Sequence, residues 1–191
     1  TYSAGAFGTP ANLTTDANAP TDATAVHVHN HHLILNSTAN PLKVYISALS
    51  SLTDFTTSKD SLILDFSVYL TGGDTVIGFD SIGEELLVIK LKRHIIIFNA
   101  STDTVDWSLQ QIIPTGAVSK YASVVHPQNG SLFIPCLESI NLFSISGAET
   151  GDPFLSINPL YRSYISTLTS SNWQYIVGGI NRTLNHYYIF F

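Results

Sequence analysis

Thr75-Val-Ile-Gly-Phe79, Leu86-Leu-Val-Ile-Lys90 and His94-Ile-Ile-Ile-Phe98 follow one another closely, separated by Gly83 and by Lys92-Arg93. Each run is short and rich in β-branched and aromatic residues, and each is bounded by residues that suit a turn. That combination specifies strand, turn, strand, turn, strand: an antiparallel meander.

The same pattern recurs on both sides. Upstream it reads Ala25-Val-His-Val-His29, a turn at Asn30-His31, His32-Leu-Ile-Leu-Asn36, a turn through Pro41, and Leu42-Lys-Val-Tyr-Ile46. Downstream it reads Tyr121-Ala-Ser-Val-Val125, a turn over Pro127-Gln-Asn-Gly130, Ser131-Leu-Phe-Ile-Pro135, and Ser139-Ile-Asn-Leu-Phe143. A fourth copy begins at Trp173-Gln-Tyr-Ile-Val177, turns through Asn181-Arg-Thr183 and ends at His186-Tyr-Tyr-Ile-Phe190. Leu33, Leu87 and Leu132 are equivalent positions, 54 and 45 residues apart. Further strand candidates at Leu62 to Leu70, Val105 to Ile112 and Tyr161 to Leu168 supply a fourth strand between copies. A repeat of about 40 to 50 residues with four strands per unit predicts an all-β fold, a β-propeller of four-stranded antiparallel blades. A β-sandwich is the competing architecture.

Residues 1–24 carry Gly5, Gly8, Pro10 and Pro20 with no periodic apolar face, and read as an extended arm or linker. Residues 25–191 form the blades, which the abrupt strand-like end at Ile189-Phe190-Phe191 suggests belong to a larger propeller or chain.

Composition narrows the function classes. The formal net charge of −6 argues against a nucleic-acid binder driven by bulk positive charge. One cysteine, Cys136, excludes an internal disulfide, and its apolar neighbours predict a buried, inert thiol. No apolar run reaches the length of a membrane helix, since Lys90, Lys92, Arg93 and His94 interrupt the longest.

Candidate chemistry is sparse. His27, His29, His31 and His32 form a cluster, and strand alternation places His27 and His29 on one face. They read as polar side chains on an exposed strand running into a hairpin, with zinc or copper binding as the alternative. Asp65 and Asp80 are the carboxylates nearest to a glycosidase-like pair, although nothing in the sequence singles them out. No nucleophile elbow, phosphate-cradling Gly-rich loop or His-Glu-x-x-His occurs, so no catalytic, cofactor-binding or metal residue is assigned and the expectation is not an enzyme. Asn12, Asn36, Asn99, Asn129 and Asn181 begin Asn-x-Ser/Thr triplets, little above the number such a composition produces by chance. Lys90, Lys92 and Arg93 concentrate positive charge at one hairpin of an acidic chain, a candidate contact for phosphate or for an acidic neighbouring subunit.

Several of these segments resemble the tail nozzle, or packaged-DNA stabilisation, proteins of short-tailed bacteriophages. Lys43-Val-Tyr-Ile-Ser-Ala-Leu-Ser-Ser-Leu-Thr-Asp-Phe55 is similar to a family stretch in which a strand ends in Tyr/Trp-x-Ser before Thr/Ala-Asp-Phe. His29-Asn-His-His-Leu33 occupies the place of the family's blade-opening hairpin, with His32 where the family carries Arg. Gly78 to Lys90 with Ile95 to Phe98, and Gly116 to Ser119 with Gly130 to Phe133 and Ile140 to Phe143, resemble the two blades that follow. The resemblance spans about residues 25–145. It implies a β-propeller portion of a structural virion protein located in the tail. Its implied partners are copies of itself in a ring, other tail or portal-adaptor proteins, and double-stranded DNA passing without sequence specificity, with no membrane and no cofactor. A carbohydrate-binding or glycosidase-like propeller is the alternative, prompted by Trp107, Trp173 and Tyr161. A secreted interaction propeller bearing glycans is a further one.

Overall fold

The computed structural model describes residues 16–56, 60–70, 72–126, 130–144, 147–148, 157–184 and 186–191. Three four-stranded antiparallel meanders follow one another along the chain. The first contains β1 (Val26–His29), β2 (His32–Asn36), β3 (Lys43–Ile46) and β4 (Leu62–Asp65). The second contains β5 (Val76–Ile82), β6 (Leu86–Leu91), β7 (Ile95–Asn99) and β8 (Ser108–Ile113). The third contains β9 (Val124–Val125), β10 (Leu132–Pro135), β11 (Ile140–Ser144) and β12 (Gly147–Ala148). A helix, α1 (Asn158–Thr167), and a two-stranded sheet of β13 (Val177–Asn181) and β14 (His186–Phe190) complete it.

The middle sheet distinguishes a stack of sheets from a two-layer sandwich. Every residue of β6 is buried. Leu87, Ile89 and Leu91 pack with Ile34, Val44 and Ile46 of the first sheet. Leu86 and Val88, on the opposite face, pack with Leu132, Ile134 and Phe143 of the third. A two-layer sandwich buries one face of each sheet. Here the central sheet is covered on both faces, which is how propeller blades stack. It also explains why β6 and β7 are continuous apolar runs rather than alternating ones. The first strands lie side by side, with β1 against β5 and β9 against β13, so residues from successive sheets meet along that edge.

Local signals set the turns. Asn30 and His31 both have positive φ, 45° and 64°, which makes the β1–β2 connection a two-residue hairpin with His29 paired to His32. The third copy deviates from expectation, because only Val124–Val125 of its first strand is in β conformation. Residues 127–129 of its expected turn lie outside the described residues. Leu62 to Leu70 divides into β4 and a 3-10 turn at Phe66–Val68, and Val105 to Ile112 becomes a 3-10 turn at Thr104–Asp106 followed by β8. The expected strand at Trp173 starts as a 3-10 turn, Trp173–Tyr175, before β13.

The strand expected at Tyr161 to Leu168 is a helix instead. Pro159 sits in its first turn, where a missing N–H is harmless. Asn158, Tyr161 and Ile165 are its buried residues, spaced three and four apart on one face. Tyr161 and Ile165 join Val118, Ala122, Ile140 and Ile176 in a core beyond the third sheet.

The arm is tied down where it is described, and its residues 1–15 lie outside the described ones. Asp16 accepts from the Phe55 N–H at 2.7 Å, and Asp22 accepts from the Thr38 hydroxyl at 2.7 Å. Ala19 packs with Leu33, Leu35 and Phe55 on the outer face of the first sheet.

Candidate functional site

The polar residues singled out in the sequence gather in two places: between the first strands of the stack, and in a cleft at one end of it. His29 and His32 are buried rather than exposed, at 3% and 0%. Hairpin pairing sets them side by side, and both meet the Trp107 ring edge-on. His29 Nε2 lies 2.9 Å from the Ala100 carbonyl oxygen, so that nitrogen carries the proton. Its Nδ1 then accepts from the Ser81 hydroxyl at 2.7 Å, and Ser81 Oγ accepts from His27 Nε2 at 2.7 Å. Burial lowers the pKa of both His27 and His29, which favours these neutral, directed bonds. His32 faces the Ser47 and Thr102 carbonyl oxygens at 2.6 and 3.0 Å. The cluster therefore links β1 to β5 and to the loop after β7. Among the described residues no group of three or more His, Cys, Asp or Glu side chains converges on one point.

The three hairpin cations are divided by the fold. Lys90 alternates with Leu86 and Val88 on β6, so its side chain enters the interface between the second and third sheets. It is fully buried, 2.7 Å from Asp80 Oδ2, and donates to the Lys120 carbonyl at 2.7 Å and to Ser123 Oγ at 2.6 Å. Burial pushes its pKa down and the Asp80 carboxylate opposes that. Gly78 pairs with Lys90 across the ladder, and a Cβ there would come 2.8 Å from Lys120 Cβ. Lys90 is thus withdrawn from any surface contact: a lysine in a strand covered on both faces has no route to water. The sequence carried that signal in its flanking apolar positions.

Lys92 and Arg93 remain exposed in the β6–β7 turn. There they line a polar cleft of about 480 Å³ with Thr115, Ser139, Glu138 and Arg162. Arg162 comes from α1, seventy positions beyond Lys92, and no local pattern connects them. Its Nε donates to the Glu138 carbonyl at 2.5 Å. Among the described residues none of Lys92, Arg93 and Arg162 is in an ion pair. Asp74 lies beneath the turn, already accepting from the Arg93 N–H at 3.0 Å and bonded to His94 Nδ1 at 2.7 Å.

Other candidates are placed elsewhere. Asp80 is engaged by Lys90 and Ser123, whereas Asp65 caps the Phe66–Val68 turn and faces Lys43 at 3.5 Å. The two carboxylates stand on β5 and β4, strands of different sheets, and do not form a pair. Trp107 and Tyr161 are buried, each hydrogen-bonded through its polar atom, to the Ser101 and Cys136 carbonyls. Asn36 is 1% exposed and its amide bonds Thr24, Ala25 and Val76, which removes it as a glycan acceptor. Asn99 is exposed, while Asn181 is half-buried and accepts from the Thr183 and Leu184 N–H groups. Asn12 and Asn129 lie outside the described residues.

A second cavity, of about 560 Å³, lies between the third sheet, α1 and β14 and is walled by Phe133, Tyr161, Tyr164, Tyr187 and Phe191. The Tyr187 hydroxyl donates to the Ala122 carbonyl at 2.7 Å, leaving its ring as the surface presented. Among the described residues, no helix is long and apolar enough to cross a membrane.

No protein-family model matches the chain, and no match is found among curated proteins.

Proposed function

We propose that the chain acts by assembly rather than by chemistry, as the blade-bearing portion of a tail nozzle subunit of a short-tailed phage. In that role it forms a ring with copies of itself, adjoins portal-adaptor or other tail proteins, and surrounds double-stranded DNA in the virion tail. Sequence resemblance supplies the family. The structural observation that supports an assembly role is the state of the two outward faces of the stack. Val26 and Val28 on the first sheet are 65% and 58% exposed, while Tyr188 and Phe190 on the last are 41% and 60% exposed. The inner face of the first sheet is buried at Ile34, Val44 and Ile46 and that of the last is partly buried at Tyr187 and Ile189, so each outer face has apolar surface suited to a further protein layer.

Mass spectrometry of purified phage particles encoding this chain tests the reading, together with immunogold labelling. Detection in the particle, with label at the tail, is expected. Particles that lack the chain, or label confined to the head, would overturn it.

The aromatic cavity supports a second reading, a carbohydrate-binding propeller, because flat aromatic rings stack on sugar faces. Burial removes Trp107 from the three aromatics that first prompted it, and Tyr161 reaches the cavity wall with 6% of its surface exposed. Binding on a glycan array that is lost in Tyr164→Ala would favour this reading over assembly.

A further inference from the structure

We propose that the cleft between Lys92, Arg93 and Arg162 binds a phosphate group, either in a nucleic-acid backbone or as the free ion. The inference stands on the cleft alone, apart from the nozzle reading. Three of the chain's eight Lys and Arg residues line this one recess, in a protein whose formal net charge is −6. Glu138 at the same rim cancels one of them and leaves two charges in excess. Thr115 and Ser139 line it from two other connections, Ser139 Oγ already directed at Asn141 Oδ1 at 3.3 Å, so the charged donors come from the β6–β7 turn and from α1.

That distribution suits phosphate better than carboxylate. One arginine fork satisfies the two oxygens of a carboxylate, whereas inorganic phosphate presents more acceptor oxygens and up to two charges, and a nucleic-acid backbone presents singly charged phosphates in close succession. A recess of about 480 Å³ admits the group with its flanking atoms. Asp74, beneath the turn, is directed to the Thr75 and Arg93 N–H groups and to His94 and makes no ion pair with the cleft cations among the described residues.

The test titrates the 191-residue chain separately with inorganic phosphate, with a short DNA duplex, and with a poly-glutamate peptide at matched ionic strength. Amide chemical shifts of Thr115 and Ser139 report the location. Saturable phosphate or duplex binding is expected, weakened about tenfold or more in Arg93→Gln/Arg162→Gln. If the ligand is a nucleic-acid backbone, the logarithm of duplex affinity falls with the logarithm of salt with a slope of about −3, near −0.9 per cation engaged. If free phosphate is the ligand, only the inorganic ion shifts those amides. Two results would overturn the proposal: no binding of phosphate or duplex by the wild type, or binding unchanged in the double variant. Binding of poly-glutamate alone would also overturn it, assigning the cations to an acidic protein partner. All three cations are exposed, and a melting curve of the variant confirms that it is folded.

Discussion

Lys90 Nζ and Asp80 Oδ2 meet 2.7 Å apart where the second and third sheets pack, the lysine wholly buried and the aspartate's side chain 22% exposed. The pair is therefore unequal. Asp80 retains some access to water, whereas Lys90 depends on Asp80, Ser123 and a backbone carbonyl for all of its solvation.

That asymmetry predicts unequal mutants. Asp80→Ala leaves a buried ammonium without its counter-charge and is expected to cost about 3 to 5 kcal/mol. Lys90→Met keeps the volume and leaves a partly hydrated carboxylate, with an expected loss of about 1 kcal/mol, in the range of volume-conserving core changes. Urea unfolding of both variants checks the order, and a larger loss in Lys90→Met would contradict it.

Stability should fall on mild acidification. Burial lowers the pKa of His27 and His29 from the ordinary 6.5, so below that pH the unfolded chain takes up protons that the folded chain does not. Stability from these groups is full above about pH 6.5 and declines as pH falls toward their lowered folded values. Urea midpoints measured between pH 8 and pH 5 should show this slope, and His27→Asn should flatten it. Asp16 and Asp22 are shifted down, Asp22 to about 2, by hydrogen bonds from neighbouring groups, so their contribution is lost only below the ordinary carboxylate value of 3.8. The two windows are separable.

Chelators should leave the melting temperature unchanged. The nitrogens of His29 and His32, and Nε2 of His27, are engaged by Ser81 and by the Ala100, Ser47 and Thr102 carbonyls. A melting temperature lowered by EDTA would show that a bound ion stabilises the fold.

Gly116→Ala should destabilise strongly. Its added Cβ would lie 1.9 Å from the Lys92 carbonyl oxygen, a backbone atom that cannot swing away. A loss of about 1 to 3 kcal/mol or more is expected, read as a lowered melting temperature, and the change would also disturb the cationic cleft.

Cys136 should resist thiol reagents until the chain unfolds. It is 0% exposed, and burial raises its pKa to about 11, so the reactive thiolate is scarce as well as enclosed. Fast labelling of the native protein by a chromogenic disulfide would contradict this.

Periodicity by itself determined the meanders. A strand alternates side chains over two residues, and turn residues such as Asn30-His31 act locally, so both are written in neighbouring positions. That both faces of the middle sheet are covered is shown only by the packing of Leu87, Ile89 and Leu91 on one side and Leu86 and Val88 on the other. Helix α1 reads as a strand at Tyr161 to Leu168 because its aromatic residues imitate one, although Pro159 and the spacing of Asn158, Tyr161 and Ile165 carry a helical signal. Only tertiary structure decided how the polar residues are shared out. Lys90 and Lys92 are two positions apart, yet one is sealed between sheets and the other lines an open cleft with Arg162. Blade stacking brings Asp80 to Lys90, His27 and His29 to Ser81, and Arg162 to the β6–β7 turn. Electrostatic and hydrogen-bond partners are set by distance in space, and the strand periodicity that lays down each sheet carries no record of which sheet will lie against it.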